Sequence, residues 1–276
     1  MTKELPDFEN PPVVEVALSV QFDPLIALRT PQIGVLWQQF RDRFPRIEEH
    51  PPLDSTIERF GPRSRIEPGV QVRVSPSVPV PRCWFLNESG SELIQIQQDR
   101  FVHNWRKVGD SDSYPRYDRH IRPTLLSELE EFTAFVGKEN LGEILPNQCE
   151  VTYVNRILAG QGWDRHGQLG SVLAPVSGAF SEEFLPEPEE VAVAASFLIP
   201  GEVGRPMGRL RFRVDPVYLK ADDKPAFHLT LVARGAPLGS GLEGVRGFLD
   251  LGREWIVRGF AAITTPTMHK IWGRKS

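Results

Sequence analysis

The stretch GRLRFRV at positions 208–214 alternates apolar and basic residues without a break. In an extended chain Leu210, Phe212 and Val214 fall on one side, and Arg209, Arg211 and Arg213 on the other. That pattern commits this part of the chain to a sheet with one apolar and one polar face. The run AFHLTLVAR (226–234) sets His228, Thr230 and Arg234 opposite Phe227, Leu229 and Leu231. Where the two polar faces coincide, the sheet carries an Arg-rich surface suited to phosphate or to an acidic protein. A wet outer face with Glu and Asp nearby is the plainer reading, because antiparallel sheets commonly leave one face in water.

Period-two runs recur along the chain. VVEVALSVQF (13–22), introduced by Pro11 and Pro12, predicts a first strand. TIERF (56–60), VQVRV (70–74), RCWFL (82–86), LIQIQ (93–97) and FVHNW (101–105) predict successive antiparallel strands, and CEVTYVNRIL (149–158) and VAVAASFLI (191–199) two more. SPSVPVPR (75–82) reads as loop or edge, since prolines cannot join a central ladder.

Helical spacing takes over in three places. Thr30-Pro31 supplies an N-cap and a first-turn proline ahead of Ile33, Leu36, Trp37, Phe40 and Phe44. Ile121, Leu125, Leu129, Phe132 and Val136 define a second helix, which Pro123 begins or kinks and Gly137 or Gly142 ends. Ser240 to Glu243 is a capping-box signature before a helix of about six turns carrying Leu242, Val245, Leu249, Ile256, Phe260 and Ile263. Both parts of the chain, 1–145 and 146–276, run from strand through helix or long loop to antiparallel strands and a long helix. Glu-Val stands at the same place in VEVALSV and CEVTYVN. The expected fold is α+β, with two similar β-α-β-rich halves, long helices packed on one face of antiparallel sheets, and the halves separate or one continuous domain.

Several function classes are disfavoured. With 40% hydrophobic and 25% charged residues the composition is that of an ordinary globular protein. The longest apolar stretch, 191–199, is far shorter than the roughly 20 residues a bilayer span needs. The N-terminus lacks the basic start and apolar run of a secretion signal, so a cytoplasmic protein without membrane association is expected. A net charge of −4 gives no global pull on nucleic acid, which leaves only a local basic face. Cys83 and Cys149 lie in strand-like sequence without CxxC or His partners and read as reduced core thiols, a disulfide between them being the lesser alternative. No metal spacing, phosphate loop or nucleophile elbow is present, so no metal or cofactor is expected. The two Asp-Arg-His triplets (118–120, 164–166) are of chance length, and Glu182-Glu183 and Glu189-Glu190 read as solvated charge.

In QIQQDRFVHNWRKV (95–108), Gln98-Asp99-Arg100 suits a hairpin turn. Alternation puts Phe101, His103 and Trp105 on one face and Val102, Asn104 and Arg106 on the other, so the polar groups cannot form one site. His103 reads as a packed core histidine. Asn104 and Arg106 remain candidates for contacting a partner, beside Arg209, Arg211, Arg213, His228 and Arg234.

The ordered set FENPPVVEV, IQIQQDRFVHNWR before YPRY, EVTYVNRI and HKIWGR resembles a sporadically distributed bacterial family of uncharacterised proteins of about this length. The resemblance implies a bacterial cytoplasmic protein with the patchy occurrence of mobile, defence or toxin-antitoxin genes, and carries over no site residue. Three functions follow as expectations. The first is a non-enzymatic binding or regulatory protein, an accessory or immunity component whose partner is another protein. The second is a ligand-binding protein or hydrolase with a helix-grip-like cavity that Trp37, Trp84, Trp105 and Trp255 would line. The third is nucleic-acid binding on the Arg-rich face, by fold-level analogy with the saddle of the TATA-binding protein.

Overall fold

The computed structural model describes residues 4–61, 79–109, 111–178 and 184–275. Its elements are β1 (Val13–Phe22), α1 (Thr30–Phe40), β2 (Arg46–His50), β3 (Arg82–Leu86), β4 (Glu92–Gln97), β5 (Arg100–Arg106), α2 (Arg122–Lys138), β6 (Pro146–Leu158), α3 (Leu169–Val172), β7 (Val193–Ile199), β8 (Gly208–Tyr218), β9 (Pro225–Gly235), α4 (Gly241–Ile263) and α5 (Pro266–Ile271). The strands form one antiparallel sheet in the order β2-β3-β4-β5-β1-β6-β9-β8-β7, and with the helices they make an α+β fold.

Alternation decides which residues meet the helices. In the centre, Val16, Leu18 and Val20 of β1 lie between Trp105, His103 and Phe101 of β5 and Tyr153, Val151 and Cys149 of β6, and all nine are buried. Phe40 of α1 meets the Phe85 ring at 6.4 Å, and Phe132 of α2 stacks on Phe101 at 5.3 Å and reaches Phe22 at 5.9 Å. On α4, Gly252 permits a close approach: a Cβ there would stand 3.0 Å from Val151 Cγ2 and 3.3 Å from Ala233 Cβ. These contacts fall on one face of the sheet, and among the described residues the other face bears no helix contact of this kind.

Several expectations need correcting. TIERF is not a strand: Thr56 to Phe60 run as irregular chain, with the Thr56 and Glu58 N–H groups donating to glutamine side chains of the sheet. RIEEH, too charged to read as strand, forms β2, which among the described residues lies at the edge and pairs only with β3. VQVRV and residues 75–78 of the proline-rich loop lie outside the described residues. The first helix is capped from Arg29, whose N–H donates to Gln32 Oε1 at 3.3 Å, so Thr30 is already helical. Ser240 occupies the N-cap position of α4, yet its side chain makes no capping bond. Pro123 sits in the first turn of α2, preceded by a π-turn over 117–121.

Both cysteines are free and buried. Cys83 on β3 and Cys149 on β6 are four strand positions apart, roughly 19 Å at the usual inter-strand spacing, far beyond the reach of a disulfide.

Candidate functional site

Register places all seven candidate residues on the helix-free face. Opposite residues of paired strands share a face, so the pairings define rows running across the strands. One row reads Asn104, Ala17, Thr152, Val232, Arg211, Ser196; the next reads Val102, Ser19, Glu150, Arg234, Arg209, Leu198. Arg106 and Arg213 lie one row to one side, with Glu15, Val154 and Thr230 between them. His228 lies a row further, between Arg156 and Asp215. On the opposite margin the sheet ends in Gln97, Arg100, Gln21 and Gln148.

Residues 51–60, PPLDSTIERF, cross the strands along that glutamine margin. The Leu53 N–H donates to Gln97 Oε1 and its carbonyl accepts from Gln97 Nε2, both at 3.0 Å, so one side-chain amide pairs with the backbone as a neighbouring strand would. Next, the Thr56 N–H donates to Gln21 Oε1 at 2.9 Å. The Glu58 N–H then donates to Gln148 Oε1. From β4 to β6 is three inter-strand steps, about 14 Å. Five extended residues reach about 17 Å, so the segment lies nearly straight.

Guanidinium groups complete the hold. Arg100 donates to Gln21 Oε1 (2.8 Å) and to the Asp54 carbonyl (3.0 Å). The Glu58 carboxylate, 4% exposed, takes Arg209 Nε at 2.6 Å on one oxygen and Arg211 Nη2 at 2.7 Å on the other. Arg209 also donates to the Arg59 carbonyl at 3.0 Å and lies over the Phe60 ring. The arrangement grips an extended backbone through amides and one carboxylate through two cations.

Of the remaining candidates, Arg213, Arg234, Asn104 and Arg106 are committed to neighbouring side chains or backbone. Arg213 pairs with Asp215 at 2.7 Å, and Arg234 with Glu150. Asn104 accepts from Gln95 (2.6 Å) and donates to Glu15 (2.8 Å), and Arg106 Nε donates to the Gly90 carbonyl at 2.7 Å. His228 is half-buried; burial, and then the Arg156 charge, hold its pKa below the ordinary histidine value against the opposing pull of Asp215 and Glu15. Alternation alone predicts that these side chains share a face, as the register shows, whereas Gln21, Gln97, Gln148, Arg100 and Glu58 were not among the residues it singled out. The glutamines had a signal, a wide amide at a strand end on the polar side. Glu58 had none, because its partners lie about 150 positions away.

His103 faces the helices, fully buried, with Nδ1 2.9 Å from Glu128 Oε2, so it is a packed residue remote from this site. Glu189 and Glu190 are exposed, whereas Glu182 and Glu183 lie outside the described residues. Among the described residues no three His, Cys, Asp or Glu side chains gather to hold a metal, and no helix is long and apolar enough to cross a membrane.

On the helix side, an apolar cavity of about 300 Å³ opens between α4 and β7–β8, lined by Phe197, Leu210, Phe212, Trp255, Gly259 and Ile263 among others. The four candidate tryptophans do not share it. Trp37 donates to the Phe44 carbonyl, Trp84 stacks near His50 on the helix-free face, and Trp105 packs against Tyr114. In comparisons with known proteins, no family model, curated protein or solved structure matches this chain.

Proposed function

We propose that the protein is a non-enzymatic binding protein that holds an extended, acid-bearing segment of another protein on the helix-free face of its sheet, in the groove its own residues 51–60 occupy. The pairing of Gln97 with both backbone groups of Leu53 carries this reading. Amide-to-backbone bonds are indifferent to the side chains of the bound segment, so the groove accepts any extended chain that offers a carboxylate to Arg209 and Arg211. An accessory or immunity component, the setting that the resemblance of its motifs implies, would use such a surface to hold its cognate protein. The test uses a labelled peptide of sequence PPLDSTIERF and the Glu58→Lys variant, which opposes a third cation to the two arginines and frees the groove. The peptide is expected to bind the variant and to compete poorly in the parent protein. No binding at millimolar peptide, with the variant folded and its segment open to protease, overturns the proposal.

The two halves are proposed to descend from one unit. Outward from the centre the strands run β1, β5, β4, β3, β2 on one side and β6, β9, β8, β7 on the other, so in each half the first strand lies beside the last.

The apolar cavity beneath α4 favours a second reading, a protein that takes up an apolar small molecule there, since pockets of this size and lining suit such ligands. Nucleic-acid binding ranks behind both: Arg209, Arg211, Arg213 and Arg234 each have a carboxylate partner, which a phosphate would have to displace.

A further inference from the structure

On the reading that a partner's segment occupies the groove, on which this inference rests, the polarity of the groove's amides narrows which extended chains fit. Each of its three glutamines is turned one way by a neighbour. The Gln97 amide nitrogen donates to Asp99 as well as to the Leu53 carbonyl, so its oxygen is the end that meets the Leu53 N–H. Gln21 Nε2 donates to Asn147 Oδ1 at 3.0 Å, and Asn147 Nδ2 in turn donates to Asp23 at 2.8 Å. A carboxylate accepts, which fixes the direction of that chain and leaves Gln21 Oε1 to Thr56. Gln148 Nε2 donates to the Asn147 carbonyl at 3.3 Å, which leaves its oxygen to Glu58. The groove thus offers acceptors at three fixed points, and each needs a backbone N–H that proline lacks.

From Asp54 onward, alternate residues turn their backbone groups to the sheet: the Asp54 carbonyl to Arg100, and the Thr56 and Glu58 N–H groups to the glutamines. By the same alternation the N–H groups of Ser55 and Ile57 point the other way. The carboxylate site sets a length as well as a charge. Arg209 binds Glu58 at 2.6 Å, the Arg59 carbonyl at 3.0 Å and the Phe60 ring, whose centre lies 5.8 Å from its guanidinium carbon. Aspartate, shorter by one carbon and so by about 1.5 Å, would leave its oxygens roughly 4 Å from Arg209 and Arg211, beyond hydrogen-bond reach. Arg209 cannot follow it without giving up the carbonyl and the ring.

We infer that the groove reads its partner by residue spacing: backbone N–H groups, hence no proline, at the first, fourth and sixth positions, glutamate in preference to aspartate at the sixth, and an aromatic ring at the eighth. Leu53, Thr56, Glu58 and Phe60 hold those positions in the chain's own segment, and its prolines, 51 and 52, stand ahead of the first.

The test is fluorescence anisotropy of labelled peptides on the full-chain Glu58→Lys variant, with PPLDSTIERF as the parent peptide and its residues numbered as in the chain. Glu58→Gln in the peptide is expected to weaken binding about 10- to 150-fold, and Glu58→Asp or a glycine inserted between Ser55 and Thr56 by at least about 10-fold. Phe60→Ala should cost about 2- to 5-fold. N-methylation at Thr56 should weaken binding by at least about 5-fold, and at Ile57 leave it unchanged. Binding of the parent peptide with the Glu58→Asp and glycine-inserted peptides within twofold of it, or equal losses from the two N-methylations, overturns the spacing rule and leaves the groove reading standing. No binding of the parent peptide to the folded variant overturns both. A second arm needs neither peptide nor Glu58→Lys: in the full chain, Glu58→Asp should expose Arg59 to trypsin as Glu58→Gln does, and cleavage of the folded Glu58→Asp protein at the parent's rate overturns the glutamate requirement.

Discussion

Replacing Glu58 by Ala tests the groove at its most constrained point. The carboxylate is buried between Arg209, 11% exposed, and Arg211, 35% exposed. Losing one partner of a fully buried pair costs about 3–5 kcal/mol. Arg211, a third exposed, regains water when the carboxylate goes, and the pair lies at a surface, which lowers the cost to about 1.5–3 kcal/mol, the range of hydrogen bonds to charged groups. That loss falls on the attachment of residues 51–60 and not on the sheet, whose ladders are unaffected, so it appears as local opening. At 1.36 kcal/mol per decade, opening becomes about 10- to 150-fold more frequent. Two measurements read it: hydrogen exchange at the Thr56 N–H, which Gln21 holds, and tryptic cleavage after Arg59. Both should accelerate by that factor while global Tm moves little. Arg213→Ala, whose partner is Asp215, should change neither rate. Unchanged exchange and cleavage in a folded Glu58→Ala protein refute the idea that the carboxylate fastens this segment.

Burial pushes the Cys149 thiol up to about 12, and burial with the Glu49 charge pushes Cys83 up to about 11. Both should resist thiol reagents until the protein unfolds. Because the folded state holds protons that the unfolded state releases, stability measured in denaturant should fall as pH rises above about 9, and Cys149→Ser should flatten that fall. His228 has the opposite linkage: its lowered pKa means the unfolded chain takes up the proton first as acid is added. The contribution is present above the ordinary histidine value and is lost as pH falls through it, so His228→Asn should reduce the slope between about pH 7 and 5. His269, lowered by burial and Arg274, keeps part of that slope. At Gly235 an added Cβ would stand 2.2 Å from the Met207 carbonyl oxygen and 2.3 Å from Phe248 Cε2. Gly235→Ala should therefore cost about 1–3 kcal/mol in chemical denaturation, and a neutral result would mean that α4 shifts freely over β9.

Legibility in the sequence tracked how local the determining interaction is. GRLRFRV and VVEVALSVQF are strands because their own alternation fits a sheet with one covered face; the bounds of the second and the buried side of the first could be read directly, whereas β8 runs on to Tyr218 beyond the alternating stretch. The same rule placed His103 inward and Asn104 outward. It failed for TIERF, whose β-branched, alternating residues satisfy the pattern while the backbone groups of Thr56 and Glu58 bond to glutamine side chains of β1 and β6. It also failed for β2, which among the described residues pairs with β3 alone and so forms an edge that tolerates Glu48 and Glu49. The arginine rows were legible as rows, but their pairing with Glu58, Asp215 and Glu150 depends on register and on a segment far away in sequence.

The central position of β1 bears on how the chain is made. Of the strands described in this sheet it is the first to be synthesised, and one of its sides is closed by β5 and the other only by β6. While a ribosome works through the residues between Arg106 and Leu158, VVEVALSVQF presents an apolar, unpaired edge in the middle of what will become the sheet. At roughly 5–20 residues per second that interval lasts on the order of several seconds. A nascent chain paused there is a sticky half-sheet, so substitutions that weaken β6 should reduce soluble yield more than they reduce the stability of the finished molecule.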